Sequence, residues 1–88
     1  MSAPHHMPWI VYMLECADGS LYTGITNDLE RRMKAHTNGK GAKYTKHRGP
    51  FKVRYTEALD SKGAALQREA AIKSLDRAAK VALIASMS

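Results

Sequence analysis

Tyr12, Tyr22, Gly24, Arg32 and His36 follow one another at short spacing, and Glu69 answers them from a later helical stretch. A carboxylate can hold a divalent cation, a guanidinium fork can grip phosphate oxygens, and a phenol or imidazole can exchange a proton with water. Hydrolysis of a phosphodiester needs a deprotonated water, neutralised charge on the phosphate oxygens and help for the leaving alkoxide. The set therefore points to phosphodiester chemistry. Each member also has an ordinary reading: half-buried strand tyrosines, a solvated arginine beside Arg31, a histidine meeting the helix dipole, a glutamate paired with Lys73 one turn on. Their joint spacing is what favours the chemical reading.

Those side chains need elements to carry them. Trp9 to Glu15 is rich in β-branched and aromatic residues, Leu21 to Ile25 resembles a shorter partner strand, and Ala17-Asp18-Gly19-Ser20 between them signals a turn. A two-residue Asp18-Gly19 turn would pair Tyr12 with Ile25 and put the tyrosines on opposite faces. A three-residue loop of Ala17, Asp18 and Gly19, with Gly19 left-handed, pairs Tyr12 with Gly24 and Leu14 with Tyr22. Only the odd register puts both tyrosines on one face, and it is expected on functional grounds. Cys16 reads as a small residue at a strand end.

Asn27 is expected to cap a helix reaching about Thr37, with Glu30 completing a capping-box-like arrangement, and Leu29, Met33 and His36 at helical spacing. Asn38-Gly39-Lys40-Gly41 ends it, a short turn or helix is expected over Ala42 to His47, and Gly49-Pro50 resets the chain. Phe51 to Ala58 alternates Phe51, Val53, Tyr55 against Lys52, Arg54, Thr56, a strand with one wet face. Ser61 or Asp60 caps a helix to about Leu75, and another runs from about Asp76 to Ala85. On the first, Ala65, Glu69 and Ile72 share a face, with Leu66 close beside Glu69, so an acid stands in an apolar sector. The fold class is α+β: a small three-stranded, mainly antiparallel sheet, made of the N-terminal hairpin plus one later strand, flanked by helices. Residues 1–8 are expected to be a flexible arm and 9–86 a single domain.

The 88 residues suffice for one small core, burying about 60% of the unfolded chain's surface. No apolar run approaches the roughly 20 residues that span a bilayer, and no secretory signal is evident, so no membrane association and a cytoplasmic location are expected. The net charge of +6 is unevenly placed. Between Arg31 and Arg54 stand nine lysines or arginines and no acid. That is either a solvated basic surface or a phosphate-tracking one, which would gain affinity from counterion release. Lys43, Lys46 and Arg48 are candidate phosphate contacts, and Tyr44 a stacking platform or a core residue.

The block Leu21-Tyr22-Thr23-Gly24-Ile25-Thr26-Asn27-Asp28-Leu29-Glu30-Arg31-Arg32-Met33-Lys34-Ala35-His36 resembles the second tripeptide strand and catalytic helix of the GIY-YIG nuclease superfamily, in particular its small stand-alone bacterial members. Ile10-Val11-Tyr12 sits where the first tripeptide belongs, and Glu69 within Gln67-Arg68-Glu69-Ala70-Ala71-Ile72-Lys73 fits the later metal-binding glutamate. The resemblance covers nearly all of residues 9–85. Both tyrosines and the glycine of the tripeptides are kept, while Ile25 stands where excision-repair members have a lysine.

The resemblance implies a metal-dependent endonuclease hydrolysing phosphodiester bonds, acting on nucleic acid with DNA favoured over RNA, in repair or recombination. Tyr22 would take the water's proton, with Tyr12 hydrogen-bonding it or the water. Arg32 would clamp the phosphate, His36 would assist proton transfer or grip phosphate, and Gly24 would leave room for close approach. Glu69 would hold one Mg²⁺ or Mn²⁺ ion. Bringing a free phenol from a pKa near 10 towards neutrality takes about 3 units, or about 4 kcal/mol. One unit charge about 4 Å away at an effective dielectric near 20 supplies about that much. The alternative is a weakly catalytic or non-catalytic nucleic-acid-binding module using segment 31–54, with a protein partner supplying specificity; a domain meeting an acidic protein partner is a more distant one.

Overall fold

The computed structural model describes residues 8–41, 45, 46 and 48–87. Three strands, β1 (Trp9–Glu15), β2 (Leu21–Thr26) and β3 (Lys52–Leu59), form one antiparallel sheet in the order β2-β1-β3. Three helices, α1 (Leu29–Thr37), α2 (Lys62–Lys73) and α3 (Arg77–Ala85), complete an α+β fold. Among the described residues no helix is long and apolar enough to cross a membrane.

The hairpin takes the odd register. Gly19 donates its N–H to the Cys16 carbonyl at 2.9 Å, and Cys16 donates its own to Ser20 at 2.9 Å. This closes a three-residue loop with Gly19 at φ 85°, a left-handed conformation that glycine adopts without the strain a side chain would bring. Tyr12 consequently lies opposite Gly24, and Leu14 opposite Tyr22. Strand alternation then puts Tyr12, Tyr22 and Gly24 on one face and Val11, Met13 and Ile25 on the other.

The second face forms the core. Val11, Met13, Tyr55, Ala65 and Ile72 pack together there, joined by Trp9, Ile25, Leu59, Leu83 and Ile84, so α2 and α3 close this side of the sheet. Fully burying each large aliphatic side chain stabilises the fold by about 1.5–3 kcal/mol. Cys16, just past β1, is buried.

Three local expectations are corrected. The α1 cap is Asp28 rather than Asn27: Thr26 Oγ1 accepts the Asp28 N–H at 3.0 Å, which delays the helix by one residue, and Asp28 Oδ1 then accepts from Arg31 N at 3.1 Å. Glu30 accordingly pairs with Lys34 at 3.7 Å instead of completing a capping box. In β3 the simple alternation fails at a register shift, where Met13 faces Tyr55 but Leu14 faces Val53. Arg54 is the extra residue, so Tyr55 is buried while Val53 is 40% exposed. Leu66 is also exposed, and Ser61 and Asp76 cap α2 and α3.

Candidate active site

His36 occupies the last turn of α1, and the helix termination just beyond it fixes its placement. Lys40 N–H reaches the Ala35 carbonyl at 2.8 Å and Gly39 N–H reaches His36 at 3.1 Å, with Gly39 at φ 74°, a Schellman termination. The ring is 1% exposed. Its Nε2 lies 2.8 Å from Tyr12 Oη and its Nδ1 lies 2.8 Å from Thr45 Oγ1. Tyr12, Tyr22 and His36 form an aromatic cluster with centroids 5.4–6.3 Å apart, and Phe51 stands 5.9 Å from the histidine.

Close packing explains two glycines. A Cβ on Gly24 would stand 2.6 Å from Tyr12 Oη and 3.0 Å from Tyr22 Cε2. One on Gly41 would collide with His36 Nδ1. Neither position has room for a side chain.

Arg32 leans against the two phenols from α1. The Tyr12 hydrogen bond raises the Arg32 pKa further, keeping it charged. Burial pushes the Tyr12 pKa above 10, with the charges of Tyr22 and Glu69 adding to the rise and Arg32 opposing it. Burial also pushes His36 below the ordinary imidazole value, helped by the Arg32 charge. His36 is therefore a neutral, enclosed ring rather than an exposed cation at a helix end. Arg32 Nε is buried without a hydrogen-bond partner. The same arginine lines a polar groove with Thr26, Asn27, Asp28, Arg31 and Ala35.

Glu69 keeps 18% of its side chain exposed and pairs with Lys73 at 3.3 Å. Its charge still reaches Tyr12. No group of three or more His, Cys, Asp or Glu side chains able to hold a metal exists among the described residues. One carboxylate nevertheless fits Mg²⁺, which keeps several waters and takes other ligands from phosphate. Glu69 is the residue that would hold it.

The expected phosphate contacts fare unevenly. Lys43 and Tyr44 lie outside the described residues, as does most of the short turn expected over 42–47. Lys46 is exposed and lines a small cavity with His36, Asn38 and Phe51. Arg48 is committed to Asp18, its Nη1 2.7 Å from Oδ2, and so joins the 45–48 segment to the hairpin turn. Thr45 and Gly41 escape a reading of the sequence. Their partner, His36, is separated from them by a loop, and no local pattern signals a contact across it.

Comparison with known proteins agrees with this architecture. A model described as the GIY-YIG catalytic domain matches residues 8–82. A UPF0213 protein of Natronomonas pharaonis is 53% identical over 85 residues, 97% of this chain and 95% of its own length. One from Clostridium perfringens is 56% identical over 78 residues, 89% of this chain and 84% of its own. The solution NMR structure of the UPF0213 protein BH0048 from Bacillus halodurans superposes with a TM-score of 0.59 at 51% identity, covering 90% of this chain and 84% of that one. The NMR structure of the E. faecalis protein EF2693 gives 0.64 at 36% identity, with coverage of 91% and 85%. With its paired tyrosines, glycine, arginine and glutamate on this sheet and these helices, the chain belongs to the GIY-YIG catalytic-domain family.

Proposed function

We propose that the protein is a metal-dependent endonuclease that hydrolyses phosphodiester bonds in DNA, in repair or recombination. The observation that carries this is Arg32. Its Nε is buried without a partner beside two phenol oxygens, a state costing about 1–3 kcal/mol that an arriving anion would relieve. A phosphate suits that fork, and the charged groove shared with Arg31 gives a nucleic-acid strand a path to it.

Tyr22 is the more accessible of the two phenols and, once it has given its own proton to solvent, takes as the phenolate the proton of the attacking water; Tyr12, wholly buried, orients it. His36 stays neutral and holds Tyr12, a supporting role in place of a direct grip on phosphate. Gly24 keeps the space between the rings open. A divalent cation at Glu69, Mg²⁺ or Mn²⁺, would supply charge neutralisation and favour deprotonation of water.

Cleavage assays across single-stranded, duplex and branched DNA, and RNA, with either metal test the proposal. DNA nicking that disappears in Arg32→Ala, with an unchanged fold, is expected. A wild-type protein that cuts none of these substrates would overturn it. The alternative, a binding module, receives less support from the structure, because the basic run is partly neutralised by acids outside it and within α1. Glu15, Asp18 and Glu30 pair with Arg54, Arg48 and Lys34.

A further inference from the structure

The donors of the enclosed cluster set its hydrogen-bond directions. Arg32 can only donate, and it lies close enough to Tyr12 for the two side chains to interact. Tyr12 has no exposed surface, so its own hydroxyl proton must find an acceptor inside the protein. His36 Nε2, at 2.8 Å, is that acceptor. A neutral imidazole that accepts at Nε2 carries its proton on Nδ1, and that proton points to Thr45 Oγ1, 2.8 Å away and on a residue only 1% exposed.

Thr45 is delivered there by backbone and side-chain anchors. Its carbonyl accepts from Arg48 N at 3.1 Å, the Arg48 carbonyl accepts from Ala17 N at 2.9 Å, and the Arg48 guanidinium donates to Asp18 at 2.7 Å. The hairpin turn that sets the register of the tyrosines therefore also holds the residue behind His36. Gly41 packs against the same edge of the ring, with no room for a Cβ beside Nδ1.

We propose that Thr45 is a positioning residue: its hydroxyl accepts the Nδ1 proton of His36 and so supports the tautomer that the buried Tyr12 hydroxyl requires at Nε2, leaving the Tyr12 oxygen free to accept from Arg32. The kinetic consequence rests on the endonuclease reading; the tautomer does not. Loss of the hydroxyl leaves a buried Nδ1–H without that acceptor, which favours moving the proton to Nε2, reversing the hydrogen bond to Tyr12 and disturbing Arg32 and Tyr22 beside it.

Nitrogen-15 NMR of histidine-labelled, metal-free protein above about pH 7, where a free imidazole is neutral, reads the tautomer directly. Wild type and Thr45→Ser are expected to show His36 protonated at Nδ1, and Thr45→Val to shift towards Nε2. In cleavage assays Thr45→Val should lose about tenfold or more in kcat with KM within about twofold, and Thr45→Ser should recover most of it. A wild-type ring protonated at Nε2 overturns the proposal without recourse to any variant. A folded Thr45→Val protein with wild-type spectrum and kcat overturns it too. If wild type never cleaves, the endonuclease reading and the kinetic half fall together, while the spectrum still decides the tautomer.

Discussion

At the scale of single residues, the site depends on space as much as on functional groups. Gly24 sits where both phenols converge, so Gly24→Ala must push Tyr12 or Tyr22 aside. We expect destabilisation of about 1–3 kcal/mol, read by urea denaturation, and loss of cleavage beyond what that accounts for. His36 makes a second prediction. In the unfolded chain an imidazole takes up its proton as pH falls through about 6.5. In the folded chain burial, then the Arg32 charge, lowers that pKa, so the unfolded state binds more protons in this window. The associated stability is complete above about 6.5 and is lost as pH falls through the lower folded value. Denaturation midpoints should therefore decline from about pH 7 to about pH 5 in wild type and decline less in His36→Gln. Equal slopes would contradict the buried, neutral assignment.

At the scale of elements, the β1–β2 turn has the most leverage. Gly19→Ala forces a side chain into a left-handed backbone and should cost about 1 kcal/mol, measured by thermal or chemical unfolding. This turn is legible in the sequence because the two loop lengths predict opposite faces for Tyr12 and Tyr22, and only one face arrangement serves the chemistry. The helices are legible from capping residues and apolar spacing, to within a residue or two. The Asp28 cap is not, because it is decided by the Thr26 hydroxyl taking a backbone N–H, and several residues in a row could cap. The bulge at Arg54 is hidden because Phe51, Val53 and Tyr55 alternate as a regular strand would, and only pairing with β1 reveals the extra residue. Thr45 is hidden for the same reason: its role exists only once the chain folds back onto α1.

At the scale of the whole molecule, charge and catalysis can be separated. The segment 31–54 carries nine cations in the sequence, but Lys34, Arg48 and Arg54 are paired with acids in the fold. Such exposed pairs are worth about 0–1 kcal/mol each, yet they lower the charge a polyanion meets. Lys40, Lys46 and Lys52 are exposed. Replacing these three by glutamine should weaken DNA binding and flatten the plot of log affinity against log salt by about 0.9 for each phosphate no longer neutralised; filter binding across a salt series checks it. An unchanged slope would place the phosphate-binding cations elsewhere. The most direct test of a catalytic centre here is single-turnover DNA cleavage by wild type and Glu69→Gln across a Mg²⁺ titration, with DNA binding and fold monitored in parallel. Wild type should cleave as Mg²⁺ rises, while Glu69→Gln folds, binds DNA and does not cleave. Cleavage by Glu69→Gln at the wild-type rate and with the wild-type Mg²⁺ dependence would contradict a catalytic centre built on Glu69.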